Sequence, residues 1–118
     1  IGAGFSLEEF RKRTKYLIAK IAGSNPDKPV FCISIYPYFG DWGAAQPNAQ
    51  GSPLEFRSIL EEVVGELAVA NVHFIPGPEI LTDIGGLTVD MIHPGDLGMI
   101  NMGENLAARI AQVLSSAS

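Results

Sequence analysis

The chain is poor in cysteine and in positive charge. Cys32 is the only thiol in 118 residues, so no internal disulfide can form and the disulfide-stapled class is excluded. A single cysteine also leaves the redox compartment unread. Eight lysines and arginines face thirteen aspartates and glutamates, for a net charge of −5 and a pI near 4.8. That balance argues against nucleic acid as partner, since such binders carry a basic patch, and against docking on an anionic membrane surface. No apolar run reaches the ~18 residues of a membrane-spanning helix. The opening IGAGFSLEEFRKR has no basic segment followed by an apolar stretch, so it does not read as a secretory signal. A start at Ile1 rather than methionine reads as a processed chain or a piece of a longer one. No Asn-x-Ser/Thr acceptor occurs. What remains is a globular composition, 47% hydrophobic and 18% charged, of a length suited to one small domain.

The pattern along the chain alternates helix and strand. Ser6 with Glu9 forms a capping-box signature, and Leu7, Phe10, Leu17, Ile18 and Ile21 follow at near-helical spacing. Arg11, Lys12, Arg13 and Lys15 read as that helix's solvated face. The helix is expected to stop near Gly23, before the loop chemistry of SNPDKP. Val30–Ile35 is a continuous β-rich apolar run, expected to be a strand buried on both faces and ended by Pro37. Ser52 with Glu55, and Pro53 in the first turn, start a second helix running to about Ala70, with Asn71 as its stop. Val72–Ile75 is a short second strand. A loop from Pro76 to Gly95 leads to a last helix from about Asp96, with Leu97, Met99, Ile100, Met102, Leu106, Ile110, Val113 and Leu114 as its apolar positions. Alternating strands and helices imply parallel βαβ units and an α/β fold. Two strands do not complete a buried parallel sheet, so the pattern resembles half of such a domain.

The loop before the last helix, LTVDMIHPGDLG, carries the chemistry. A histidine acting as general base needs one ring nitrogen held by a partner, and a carboxylate also stabilises the imidazolium that forms. Asp90 lies three residues before His93, close enough in a non-helical turn to fold back onto the imidazole. Pro94 disfavours helical geometry at His93. Ligands in open α/β sheets bind beyond the carboxyl ends of the strands, where this loop begins. By spacing alone, Asp-x-x-His-Pro is a weak signal and reads more readily as a polar turn with His93 hydrogen-bonded locally.

The segment ILTDIGGLTVDMIHPGDLGMINMGENLAARI resembles the C-terminal block of the SGNH hydrolases, the GDSL-type lipases and acylhydrolases. The preceding FSLEEFRKRTKYLIAKIAGSNPDKPVFCISIYPYF and SPLEFRSILEEVVGELAVANVHFIP are similar to that family's helix–strand pairs. The resemblance implies a three-layer, flavodoxin-like αβα fold with a parallel sheet, of which residues 1–118 would be the C-terminal half. It implies ester hydrolysis by a serine, with His93 as base, Asp90 orienting it, and no metal or organic cofactor. Met91 departs from the small residue common in relatives, which bears on the pocket rather than the pair. The family's nucleophile lies in a Gly-Asp-Ser block, and a glycine and an asparagine from two further blocks stabilise the oxyanion. Gly40-Asp41-Trp42 and Gly95-Asp96-Leu97 both lack that serine, and Gly2-Ala3-Gly4 lacks the asparagine. The isolated chain is therefore expected to be inert or nearly so as an esterase.

Other residues admit blander readings. Ser6 and Ser52 are helix caps, Ser34 belongs to a buried strand, Ser24 and Ser58 have no activating context, and Ser115, Ser116 and Ser118 form a frayed terminus. His73 reads as structural, although a zinc site with Asp90 and His93 is conceivable. Cys32 reads as a small buried hydrophobe. Tyr36, Tyr38, Phe39 and Trp42 follow the first strand and either line a substrate pocket or pack their own loop. Met99 and Met102 read as core, and Gly85-Gly86 as a plain turn. A small αβα binding domain is disfavoured because no Gly-rich phosphate loop follows either strand. The remaining alternative to an ester hydrolase is a non-catalytic module that associates through exposed strand edges, as a homodimer or with its missing half. Substrate and compartment are not specified by these residues.

Overall fold

The computed structural model describes residues 4–44, 46 and 48–116. Gly2, Ala3 and Ser118, weighed above, lie outside the described residues. Helix α1 spans Leu7–Ser24, strand β1 Val30–Ile33, helix α2 Pro53–Leu67, strand β2 Val72–Ile75 and helix α3 Asp96–Ser116. The strands run parallel in the register Val30↔Val72 to Ile33↔Ile75. This is the expected α/β arrangement, with α2 as the crossover.

Ser6 caps α1 by accepting the Glu9 N–H at 3.1 Å, but the box is only half made. The Glu9 carboxylate turns instead to Arg13 Nε at 2.6 Å, one turn along the helix. Ile18 and Ala22 are the buried positions of α1, whereas Leu17 and Ile21 are exposed, contrary to the expected face. Each lies one residue, about 100°, off the stripe that meets α2. Arg11, expected in solvent, reaches across to Glu62 and Glu66 of α2. On α2, Ser52 and Glu55 form the complete reciprocal box. The helix ends earlier than expected, with Ala68 in the left-handed region at φ 48°. Asn71, rather than stopping the helix, joins two segments. Its Nδ2 donates to the carbonyls of Ala22, Asn25 and Lys28 at 3.3, 3.0 and 3.0 Å, tying the turn after α1 to the start of β2.

The main core lies between the helices and one sheet face, where Cys32 and Val72 meet Ile18, Ala22, Ile59 and Val63. Phe10 and Phe56 meet edge to face at 5.0 Å. Side chains alternate along a strand, so Phe31, Ile33, His73 and Ile75 occupy the opposite face. Ile33 is 43% exposed there, which corrects the expectation of a strand buried on both sides. The reason is that α1 and α2 lie together on one face, while α3 packs chiefly on the 3-10 turn Ile84–Gly86. The ladder also ends before Ile35. Pro76 has no N–H to extend it, and the Gly77 N–H goes to Ser34 Oγ at 2.8 Å.

Helix α3 begins at Asp96 as expected, but among its described residues only Gly98 is buried. Leu97 is 77% exposed, and Met99, Ile100 and Leu114 are exposed too, while Met102, Leu106, Ile110 and Val113 are half-buried, so the expected core face of α3 is only partly covered. Ser115 and Ser116 are not frayed but helical, with Ser116 Oγ donating to the Gln112 carbonyl at 2.8 Å. The result is a slab of 41 × 33 × 17 Å. Its accessible surface is 7243 Å², against about 6,200 Å² for a compact fold of its mass.

Gly85-Gly86 is more than a plain turn. A Cβ on Gly98 would stand 2.2 Å from the Gly86 carbonyl oxygen, so α3 docks on that turn backbone to backbone. A helical glycine normally gains stability on becoming alanine. Gly98→Ala is expected to do the opposite, lowering stability by ~1–3 kcal/mol through overpacking, as read by urea unfolding, while Gly103→Ala on the open side of the same helix does not.

Candidate active site

The acid–histidine loop is a closed structure. Its base is held where Leu87 bridges Pro94, with the Thr88 N–H donating to the His93 carbonyl at 2.7 Å and the Gly95 N–H to that of Gly86 at 2.8 Å. Within it the Met91 N–H donates to the Thr88 carbonyl at 2.9 Å. This turn wraps the Asp90 carboxylate. Oδ1 accepts the N–H groups of Ile92 and His93, both at 2.9 Å, and the Thr88 hydroxyl at 3.0 Å. Oδ2 faces His93 Nδ1 at 2.5 Å. The bond to the His93 ring, reinforced by the His93 and Ile92 amides, holds the Asp90 carboxyl well below the usual carboxylate range. With Nδ1 engaged by a carboxylate, the neutral ring carries its proton there and turns the Nε2 lone pair outward. The His93 side chain is 73% exposed, so that nitrogen is open to a reacting group.

Met91, between acid and base, adopts φ 58°, a left-handed conformation unusual for a side chain with a Cβ. Only glycine, which has no Cβ, would adopt this conformation without strain. The Met91 carbonyl accepts the N–H of Phe39 at 2.9 Å, and this joins the acid–histidine loop to the aromatic segment after β1.

That segment is organised by Arg57 of α2. Its Nε donates to the Ile35 carbonyl at 2.8 Å and a terminal nitrogen to that of Tyr36 at 3.1 Å. The guanidinium also grips Asp41 through two bonds, at 2.5 and 2.9 Å. Asp41 Oδ2 in turn accepts the Tyr38 N–H at 3.0 Å, closing the 3-10 turn Phe39–Trp42. The Arg57 bonds hold the Asp41 carboxyl below its ordinary range. The Arg57 side chain is only 11% exposed. Sequence reasoning missed Arg57, Asp41 and Thr88 as parts of the site. The available signal was slight: an arginine between the core positions Phe56 and Ile59, and a Gly-Asp pair without its serine.

Of the candidate pocket residues, Tyr38 is committed to its own loop, its hydroxyl donating to Gln46 at 3.0 Å and its ring edge-on to Phe39 at 5.5 Å. Tyr36 is half-buried, and Trp42 is 49% exposed. The serines of helix caps and core are engaged elsewhere: Ser6 and Ser52 on α1 and α2, and Ser34, buried, on Gly77. His73 lies beside Phe31 with ring centres 5.5 Å apart, in the sheet. Cys32 is buried, and burial pushes its thiol up. Among the described residues no cluster of three or more His, Cys, Asp or Glu could hold a metal ion.

Two solved structures share this architecture. One is a salicylyl-acyltransferase from a tetracycline biosynthetic pathway, with a TM-score of 0.73 and 16% identity over 93% of this chain. The other is a putative GDSL-like lipase from Bacteroides ovatus ATCC 8483, with a TM-score of 0.73 and 24% identity over 93% of this chain. The chain spans about a third of each, 34% and 33% of their lengths. No protein-family model and no curated protein sequence matches it. At these identities the likeness establishes the fold, which is that of a GDSL-like lipase over its matched third. It agrees with the SGNH resemblance carried by the Asp-x-x-His-Pro block.

The loop also has an acid limit. Because folding depresses the Asp90 pKa, the stability its carboxylate brings is complete above its ordinary value of 3.8 and is lost as pH falls below it. The thermal midpoint of the native chain should therefore exceed that of Asp90→Asn at pH 6, and the gap should narrow as pH is lowered from 4 to 2. A gap constant across that range would show that the Asp90 charge does not secure the loop.

Proposed function

We propose that this chain supplies the acid–base arm of a serine-dependent acyl-transfer enzyme, most simply an ester hydrolase. The observation that carries the reading is the 2.5 Å contact between His93 Nδ1 and Asp90 Oδ2, with Nε2 directed to solvent. In the proposed reaction His93 Nε2 takes the proton of a serine hydroxyl as its oxygen attacks the ester carbonyl. It then returns the proton to the departing alcohol, while Asp90 holds the ring and stabilises the imidazolium. A second cycle with water frees the acid. In this reading the serine and the oxyanion donors come from another segment or another molecule; within the chain the hydroxyls of Ser6, Ser34 and Ser52 are used structurally. An imidazole–carboxylate pair without oxyanion donors stabilises little of the tetrahedral intermediate. The substrate class is a small ester, such as an acetylated carbohydrate or a lipid. Tyr36 and Trp42, on the loop after β1, would border the acyl or alcohol side.

The purified chain is expected neither to take up a fluorophosphonate, read as intact mass, nor to turn over a short-chain aryl ester. Co-expression with a Gly-Asp-Ser-bearing partner segment should restore labelling, and His93→Ala should abolish it. Labelling that survives His93→Ala would overturn the assignment.

A second reading rests on the exposed end of β1 and the first turns of α3, where Ile33, Leu97, Met99 and Ile100 stand exposed. Large apolar patches mark association surfaces, so the chain is proposed to self-associate as a homodimer or to bind a further segment that covers them. Light scattering across a dilution series should show more than a monomer at the highest concentration. A compact monomer throughout would remove this reading.

A further inference from the structure

Arg57, Asp41, Phe39 and Met91 form a continuous chain of bonds from α2 to the acid–histidine turn. The guanidinium fixes the Ile35 and Tyr36 carbonyls and both oxygens of Asp41. Asp41 fixes the Tyr38 N–H, and so the 3-10 turn that begins at Phe39. The Phe39 N–H then bonds the carbonyl of Met91, the residue held at φ 58° between Asp90 and His93. A left-handed non-glycine residue persists only where its surroundings over-determine it. Here the conformation is held from one side by the Thr88–Met91 turn and from the other by Phe39. Its consequence is local: it lets one carboxylate collect the Ile92 and His93 amides and still face the His93 ring.

We infer that Arg57 is a positioning residue for the acid–base pair: through Asp41 and the Phe39–Met91 bond it sets the turn that keeps Asp90 on His93 Nδ1. The inference deepens the proposed acyl-transfer reading, on which the catalytic meaning of the pair rests, but its physical content is read without any turnover. Arg57 never approaches the reacting atoms in this scheme. It acts because a rigid, buried fork pre-organises a loop, which a flexible lysine cannot do.

The test is the tautomer of His93, from ring-nitrogen shifts in long-range nitrogen–proton spectra of the full chain. The protein has two histidines, and His73, beside Phe31 in the sheet, reports global unfolding in the same spectrum. In the native chain the Nδ1–H form should dominate at His93. In Arg57→Gln the ratio of Nδ1–H to Nε2–H is expected to fall about tenfold, the scale of one charge-assisted hydrogen bond, with His73 unmoved. Arg57→Lys should not restore it. If Arg57→Gln disturbs His73 as well, Phe39→Pro decides. It removes only the donor to Met91 and the ring, at the first position of a turn, after a residue already extended at φ −151° and ψ 178°. Phe39→Pro should shift the His93 ratio in the same direction. Adding Met91→Gly should recover it, because glycine holds the left-handed conformation unaided. An unchanged His93 ratio in a folded Arg57→Gln or Phe39→Pro variant would overturn the inference. A chain that follows the predicted tautomer pattern, yet never labels when its serine-bearing partner is supplied, would instead refute the acyl-transfer reading.

Discussion

The ladder between β1 and β2 is parallel, and everything chemical in this chain follows from that. Parallel strands leave the sheet at the same edge, so the segment after β1 and the segment after β2 emerge as neighbours. The first carries the aromatic residues and Asp41, the second the acid–histidine turn. Pro76 stops the ladder by lacking an N–H, and Ser34 takes up the Gly77 amide that follows, which fixes where both loops begin. An antiparallel pair would have placed the two loops at opposite ends.

The loops are then built on opposite principles. The turn around Asp90 satisfies its carboxylate locally: two acceptor oxygens meet two amides, a hydroxyl and an imidazole within residues 88–93. The aromatic loop cannot satisfy itself and relies on a cation from α2. Arg57 suits this because its planar fork serves two backbone carbonyls and a carboxylate at once. Burying such a cation is tolerable only when it is paired and hydrogen-bonded, and here four bonds, two of them to a carboxylate, hold it. One backbone bond, Phe39 to Met91, joins the two loops.

The body behind the loops is one-sided. Helices α1 and α2 bury one sheet face around Val63 and Ala22, while Ile33 and Leu97, Met99 and Ile100 at the start of α3 remain exposed. This asymmetry leaves apolar surface exposed to water at a cost to the fold's stability. The same parallel strands that bring the loops together need cover on both faces.

Much of this was legible in the residues. The capping serines Ser6 and Ser52, the strand Val72–Ile75, the start of α3 at Asp96 and the Asp90–His93 pairing all depend on neighbours within a few positions, and short-range chemistry is written locally. Helix faces were less legible, since a one-residue difference turns Leu17 outward and Ile18 inward, and only the position of α2 decides between them. The exposure of Ile33 and of Leu97 depends on what lies across from them, which periodicity cannot express. Gly86 against Gly98, Asn71 on three carbonyls and Arg57 on Asp41 join residues 12, 43 to 49 and 16 positions apart in the chain. The sequence by itself determined the elements, their parallel order and the acid–histidine turn, because those follow from local bonding and period. Tertiary structure alone decided how that turn is braced and which surfaces stay open, because both are set by contacts between segments whose approach no local pattern encodes.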